Sequence, residues 1–242
     1  MRKVPEITLM FWVLKLLTTA MGEATSDFLV ANISQYLAVF VGAVMLVIAL
    51  IIQLKAERYK AWAYWLAVSA VAVFGTMAAD GLHIQLHVPY IASTIFFALV
   101  LSVVFVAWQK SEKSLSIHSI YTTRRELFYW ATVLSTFALG TAAGDLTATT
   151  VGLGYFSSGL MFIGIFLIPV VLHFVFKVNE IFTFWFAYII TRPLGASFAD
   201  WLSKSKAIGG RGYGDGHVAV WFMLAIIVGV IYISITKMDV KS

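Results

Sequence analysis

The chain has 242 residues, of which 61% are hydrophobic and 12% charged, and this composition excludes an ordinary soluble globular domain. The formal net charge is +5 and the mean hydropathy is +0.90. Cysteine is absent, so disulfides, thiolate metal sites and thiol redox chemistry are excluded. We therefore interpret the chain as an integral membrane protein whose function resides among its helices.

Apolar segments recur along the chain, and each is long enough to cross about 30 Å of hydrocarbon as an α-helix. Eight such segments follow one another, at roughly 7–29, 33–54, 61–82, 88–109, 127–147, 153–176, 181–202 and 217–236. The first is expected to be retained, because it lacks a small-x-small cleavage pattern. We predict an all-α membrane protein with eight transmembrane helices in a single domain over residues 1–242.

Basic residues are distributed unevenly between the two ends of the predicted helices. Twelve fall on the side of the N-terminus, whereas the opposite side has Lys204, Lys206 and Arg211. This bias predicts that both termini are cytoplasmic. Anionic lipid headgroups are sufficient partners for the basic loops, so the pI of about 9.4 does not indicate nucleic-acid binding.

Four segments share one spacing of three residue types, with Gly ten residues after Trp and Asp five residues after Gly. The segments read WVLKLLTTAMGEATSD, WLAVSAVAVFGTMAAD, WATVLSTFALGTAAGD and WFAYIITRPLGASFAD, with anchors at Trp12, Gly22 and Asp27; Trp65, Gly75 and Asp80; Trp130, Gly140 and Asp145; and Trp185, Gly195 and Asp200. A weaker echo follows at Tyr36, Tyr90, Tyr155 and Tyr213. The spacing predicts four tandem two-helix hairpins, at about 7–54, 61–109, 127–176 and 181–236. Since each has an even number of spans, all four should share one orientation around a polar interior, which disfavours an inverted-repeat transporter.

This Trp–Gly–Asp pattern resembles a family of bacterial integral membrane proteins built from four tandem two-helix repeats, each with a characteristic tryptophan. The resemblance covers essentially the whole chain. It implies eight helices in a bacterial inner membrane. Because the family's repeat has no assigned function, the resemblance implies no activity, and function has to be argued from side chains.

Positions 7, 11 and 15 residues after each Trp share one helical face at about 100° per residue. That face carries polar residues in every repeat: Thr19, Glu23 and Asp27 with Lys15 at the edge, then Thr76 and Asp80, then Thr141 and Asp145, then Arg192 and Asp200. Ionisable groups are costly in lipid, so the face is expected to point inward. Its five acids against two bases leave a formal charge of −3 if all are ionised.

Several of these residues also have a simpler structural interpretation. The four tryptophans either form an interfacial aromatic belt or line the path as a cation-binding ring. The glycines permit close helix packing, and Asp145 or Asp200 could be a water-exposed helix end or a cap. Arg192 could neutralise Asp200 or Glu23, and Lys15 could pair with Glu23 or extend toward the cytoplasm.

Carboxylates and threonine hydroxyls are hard oxygen ligands suited to manganese, magnesium or calcium, and a carboxylate can alternatively hold a proton. We therefore predict a cation transporter, with divalent metal efflux or metal/proton exchange favoured. The predicted metal ligands are Glu23, Asp27, Asp80, Asp145 and Asp200. The ion path would add Lys15, Arg192, the three threonines and the four tryptophans.

Two alternatives remain open. In one, Arg192 and Lys15 hold the carboxylate of a small organic solute; in the other, the chain is a non-transporting scaffold or sensor. No nucleophile–base pattern and no HExxH motif is present, so neither enzyme activity nor a cofactor is expected. The expected partners are the transported cation or small molecule and membrane lipids, with no nucleic acid, and assembly of several copies stays open.

Overall fold

The computed structural model describes residues 2–84 and 86–240, without the side chains of residues 82–84. The described residues form eight α-helices and no strand. The helices are α1 Leu9–Asn32, α2 Gln35–Lys55, α3 Ala61–Ile84, α4 Tyr90–Glu112, α5 Thr123–Asp145, α6 Gly154–Phe174, α7 Glu180–Ser203 and α8 Asp215–Thr236. The all-α prediction is confirmed, and each predicted helix end lies within four residues of the observed one.

Side-chain caps explain where several helices begin. A hydroxyl or amide oxygen just before the helix accepts a hydrogen bond from a free backbone N–H of the first turn, which no carbonyl inside the helix can satisfy. The capping residues are Thr8 for α1, Ser34 for α2, Thr122 for α5 and Asn179 for α7. The cap at Thr122 accounts for α5 beginning earlier than its apolar segment does.

The odd-numbered helices form an inner ring. Helix α1 contacts α3, α3 contacts α5, α5 contacts α7, and α7 returns to α1. The even-numbered helices lie outside this ring. In the apolar windows of α2, α4, α6 and α8 between 22% and 28% of residues are buried, against 72% in α3 and 61% in α5. The apolar surface of the molecule is therefore carried mainly by the outer helices.

The two helices of one repeat make few contacts with each other. Each outer helix packs mainly on the inner helix of the following repeat: α2 on α3, α4 on α5, α6 on α7, and α8 on α1. The connections within a repeat are short, but the packing partner belongs to its neighbour. Because α8 closes onto α1, the last repeat completes the core of the first.

Six of the described helices are long and apolar enough to cross a membrane: α2, α3, α4, α5, α6 and α8. Helices α1 and α7 have sufficient length but are less apolar, since they carry the charged side chains of the predicted polar face. The described helices are thus compatible, in length and composition, with a multi-pass membrane protein.

Residues 2–8, which precede α1, cross the end of the bundle where the inner helices begin. Lys3 Nζ forms an ion pair with Glu126 at the start of α5, at 2.8 Å, and donates to the Leu54 carbonyl at 2.9 Å. The Glu6 N–H donates to the carbonyl of Asp239, beyond α8, at 2.9 Å. Val4 is buried in the core. This N-terminal segment therefore covers one end of the ring.

Candidate functional site

The four repeat tryptophans form a closed aromatic ring near the N-terminal ends of the inner helices. In each repeat the residue before Trp is also aromatic. That residue contacts the Trp of the next repeat, in the pairs Phe11–Trp65 at 5.7 Å, Tyr64–Trp130 at 5.7 Å, Tyr129–Trp185 at 6.1 Å and Phe184–Trp12 at 5.8 Å between ring centroids. Aromatic pairs at these separations are favourable. The tryptophans thus link all four repeats in cyclic order.

Burial distinguishes between the two interpretations of these tryptophans. Trp65, Trp130 and Trp185 are buried, and Trp12 is half-buried. The three buried rings lie between helices, whereas an interfacial belt would place them against lipid headgroups. Within the described structure, the cation–π contacts of the two buried bases use Phe137 and Tyr188. The tryptophans therefore pack the ring and do not themselves hold these cations.

The repeat glycines form a second cyclic set. The Cβ of an alanine at each glycine would strike the residue seven positions after the Trp of the next repeat, in the pairs Gly22 with Ala72, Gly75 with Phe137, Gly140 with Arg192 and Gly195 with Thr19. Close approach of neighbouring inner helices requires the missing side chain at these points. The packing interpretation of the glycines therefore agrees with the structure.

We expect Gly22→Ala to lower the free energy of unfolding by about 1–3 kcal/mol, because the added methyl overpacks the α1–α3 contact. The new Cβ would lie 2.5 Å from the Ala72 Cβ and 2.8 Å from its backbone carbon. Denaturation in mixed detergent micelles, followed by circular dichroism, measures the change. The matched control is Gly164→Ala in α6, where no described atom lies within 4 Å of the added Cβ. Equal stabilities of the two variants would contradict the cyclic close packing.

Arg192 lies at the centre of the inner ring and is fully buried. Its Nη2 donates to the Glu23 carboxylate and to the hydroxyls of Thr76 and Thr141, the last at 2.8 Å. Its Nη1 donates to the Thr19 carbonyl at 3.3 Å. Since both hydroxyls donate their own protons to carbonyls of the preceding turn, their oxygens can accept from the guanidinium.

These partners occupy equivalent positions of the repeat. Glu23, Thr76 and Thr141 each lie eleven residues after a repeat Trp, and Arg192 lies seven residues after the fourth. One guanidinium therefore connects all four inner helices. Of the two partners considered for Arg192, the structure selects Glu23 for the close ion pair.

The position of the Lys15 side chain differs from both expectations. It is 1% exposed, so it does not extend toward the cytoplasm, and Glu23 is paired with Arg192 instead. Its Nζ lies 3.9 Å from the centroid of the Phe137 ring and 4.1 Å from that of Tyr188. The rings of a neighbouring and a more distant inner helix stabilise the ammonium through cation–π contacts.

Three of the five predicted acidic ligands meet near the C-terminal ends of α1 and α7. Glu23, Asp27 and Asp200 each offer one carboxylate oxygen, and these oxygens lie within 4.8 Å of one another. Glu23 and Asp200 are buried, while the Asp27 side chain is 21% exposed. Oδ1 of Asp200 is buried without a hydrogen-bond partner in the described structure. We call these three residues the acidic triad.

Lys204, just beyond the end of α7, occupies the entrance to the acidic triad. Its Nζ lies 2.5 Å from Asp27, 3.9 Å from Asp200 and 3.4 Å from Asp215. Partial burial acts to lower the pKa of Lys204, but the charges of Asp27 and Asp200 outweigh burial and raise that pKa above its ordinary value. Lys204 therefore stays protonated at neutral pH and acts as an internal cation at this site.

The other two predicted ligands lie outside the triad. In the described part of the chain, Asp80 and Asp145 are half-buried and interact electrostatically with Glu23 and Asp27 rather than joining their oxygens. Asp145 leads directly into a π-helical segment, Leu146–Thr150. The four repeats thus contribute unequally to the site. Its closest carboxylate oxygens come from repeats 1 and 4.

Sequence reasoning did not identify Lys204, Phe137 or Asp215 as parts of the site. Lys204 follows Asp200 by four residues, a spacing that favours an ion pair on a helix, and this was the available signal. Phe137 lies seven residues after Trp130, the repeat position that Thr19 and Arg192 occupy in repeats 1 and 4. Its role as a cation–π partner depends on helix packing and has no local signature.

The inner ring, the outer apolar helices and the cyclic repeat contacts define a multi-pass helical protein built from four repeats. The chain belongs to the family described as Repeat of Unknown Function (DUF347), whose model matches residues 10–59, 63–114, 128–179 and 183–239. The prediction of four tandem repeats is thereby confirmed. Comparison with curated proteins and with solved structures finds no significant match.

Proposed function

We propose that the protein is a membrane transporter that exchanges a cation, a divalent metal in the first place, for protons through its acidic interior. The observation that carries this proposal is the acidic triad, whose three oxygens lie within 4.8 Å of one another beside two internal cations. Oxygen ligands at such separations suit hard divalent ions. No resident cofactor is required, and the metal is the substrate.

The proposed membrane arrangement has eight spanning helices. The six apolar helices support it directly, and α1 and α7 are equivalent to α3 and α5 in the repeat and in the inner ring. Equivalent positions of the repeats meet at the aromatic ring and at the glycine contacts. This agreement supports four repeats with one orientation. With the basic residues concentrated at the N-terminal side, both termini would be cytoplasmic, in the inner membrane of a bacterium.

Internal charges explain how binding could be reversible. A divalent cation entering the acidic triad would displace Lys204 and weaken the Arg192 contact with Glu23, because like charges at such separations repel one another. The partial exposure of the Asp27 side chain supports access to the acidic triad from the side of Lys204. The aromatic ring and the N-terminal segment close the opposite end. We propose that the structure represents the transporter conformation in which the acidic triad is accessible from the non-cytoplasmic side.

The proposal is tested with purified protein in liposomes, by following Mn²⁺ entry and lumenal pH together. Wild type should move Mn²⁺ inward and protons outward, and Asp200→Asn should reduce Mn²⁺ entry at least about tenfold, because a triad ligand loses its charge. Glu57→Gln, which changes an exposed acid before α3, is the control and should transport normally. Asp80→Asn and Asp145→Asn report whether the two half-buried acids belong to the path.

Two results would overturn the proposal. Wild-type rates in Asp200→Asn would remove the acidic triad from transport. A well-folded wild-type protein that moves neither Mn²⁺ nor another divalent metal would instead favour an organic solute held by Lys15 and Arg192, or a scaffold.

A further inference from the structure

Lys15 is a buried basic side chain that forms no ion pair with any acid among the described residues. In the described structure its Nζ has no hydrogen-bond acceptor, and no described carboxylate forms an ion pair with it. The two aromatic rings at 3.9 and 4.1 Å supply attraction but accept no conventional hydrogen bond. A charged group so placed is costly unless it has a function or changes its protonation state.

The charged groups around Lys15 add to this imbalance. Helix α7 contributes Arg192, whose guanidinium carbon lies 5.5 Å from the centroid of the Phe137 ring that Lys15 also contacts. Glu23 on α1 balances Arg192 alone. Helix α5 presents Phe137; of its two acids, Asp145 lies at the outer end of the helix and Glu126, in the first turn, pairs with Lys3. Near Phe137 the described side chains therefore place two basic groups, Lys15 and Arg192, beside one acid, Glu23, which pairs with Arg192.

Among the described residues, the remaining neighbours of α1 supply no balancing acid near Lys15. Helix α3 carries Asp80 near its outer end, fifteen residues beyond its Trp, whereas Lys15 lies three residues beyond Trp12. Helix α8 packs Gly229 against Leu14. Its titratable residues are elsewhere: Asp215 pairs with Lys204, and His217 and Tyr232 are exposed. Helix α2 carries Tyr36, which is exposed, and Lys55 at its inner end.

A column of tyrosines extends from Lys15 toward the N-terminal end of the bundle. Tyr188 contacts Lys15 through its ring, and its hydroxyl has no hydrogen-bond partner in the described structure. Tyr188 interacts electrostatically with Tyr129, whose hydroxyl is hydrogen-bonded to that of Tyr64. Tyr129 and Tyr64 are fully buried, as is Tyr188. Phenol hydroxyls both donate and accept, so the hydrogen-bonded pair of Tyr129 and Tyr64 can relay a proton, and rotation of the Tyr188 hydroxyl would be needed to extend the relay to Lys15.

The column reaches a titratable carboxyl at the proposed cytoplasmic end. The Tyr64 ring contacts that of Tyr59 at 5.9 Å, and the Tyr59 hydroxyl donates to Asp239. Burial raises the pKa of Asp239 above its ordinary value, although the hydrogen bond from Tyr59 opposes this change. A carboxyl at this place can exchange a proton between the tyrosine column and the N-terminal side.

We propose that Lys15 is the proton-binding residue of the exchange cycle, connected to the cytoplasmic side by the tyrosine column. This inference rests on the proposed function. When a divalent cation enters the acidic triad, the ammonium of Lys15 releases one proton to the column and becomes a neutral amine. The Lys15 amine takes up a proton again after the cation leaves. The added positive charge at the triad is thereby offset by the loss of positive charge at Lys15, which couples the two ions.

The experiment measures protons released when Mn²⁺ binds to the purified protein in a weakly buffered detergent solution. Wild type should release about one proton more per bound Mn²⁺ than Lys15→Met. Methionine suits the space between two aromatic rings, so this variant should fold, as gel filtration and circular dichroism would verify. Lys15→Arg keeps the charge but cannot release the proton, so it should match Lys15→Met in proton release.

The same variants are then compared in liposomes. For each Mn²⁺ that enters, Lys15→Met should move fewer protons in the opposite direction than wild type. Equal proton release per Mn²⁺ in wild type and Lys15→Met would overturn the assignment of Lys15 and leave the proposed transport function intact. Failure of wild type to bind Mn²⁺ in the first titration would overturn the proposed function, and this inference with it.

Discussion

Replacement of Arg192 by methionine is expected to lower the free energy of unfolding by about 3–5 kcal/mol, because it leaves Glu23 buried without its counter-charge. The same change removes the hydrogen bonds to Thr76, Thr141 and the Thr19 carbonyl, which join the four inner helices. The loss is measured by denaturant titration of the protein in mixed micelles, with tryptophan fluorescence and circular dichroism as independent signals.

The double variant Arg192→Met/Glu23→Gln separates charge from packing. Because it leaves no unpaired buried charge at this pair, it should recover a large part of the lost stability. Arg192→Lys should fall between wild type and Arg192→Met, since one ammonium cannot reproduce two guanidinium nitrogens bonded to separate helices. A double variant as unstable as Arg192→Met would show that the unpaired carboxylate is not the cause.

The second large effect is expected at Lys204. Lys204→Met should strengthen Mn²⁺ binding about tenfold to a hundredfold, because it removes a competing positive charge from beside Asp27 and Asp200. Isothermal titration calorimetry on the purified protein gives the dissociation constant. Lys206→Met, an exposed lysine of the same connection, is the matched control and should leave the constant unchanged.

The pKa of Lys204 defines the pH range in which Lys204 should compete with Mn²⁺. Since its folded-state pKa is raised, the stability from its ion pairs is fully present below the ordinary value of 10.5 and is lost only as the pH rises beyond that. The competition between Lys204 and Mn²⁺ should therefore persist throughout the neutral range. Unchanged or weaker Mn²⁺ binding by Lys204→Met would remove Lys204 from the cation site.

Departures from fourfold symmetry create the candidate site. At the position eleven residues after Trp, repeats 1, 2 and 3 carry hydrogen-bond acceptors, whereas repeat 4 has Ala196. Seven residues after Trp, repeat 4 alone carries a charge, Arg192. The arginine thus enters a place where equivalent positions of the other repeats can accept its hydrogen bonds. The acidic triad forms at the junction of repeats 1 and 4, where α8 also completes the ring.

The local pattern of the sequence was sufficient to predict the helices, the four repeats and the polar face. Helix periodicity and apolar length act over a few residues, so they can be read without knowledge of the fold. The cap at Thr122 acts over an equally short range but was not used, and the predicted start of α5 was four residues late. The close packing at Gly22 and its equivalents also followed from the repeat, because a missing side chain at a recurring position indicates a recurring contact.

Only the tertiary structure decided which polar side chains meet. A helical face is a local property, but Glu23 and Asp200 were both candidate partners of Arg192, and Glu23 was also a candidate partner of Lys15. The sequence did not distinguish among these pairs. The choice of Glu23 for Arg192, and of two aromatic rings for Lys15, depends on the cyclic order and rotation of helices far apart in the chain. The order and rotation of the helices are set by the combined packing of many side chains. No single segment of the sequence contains that information.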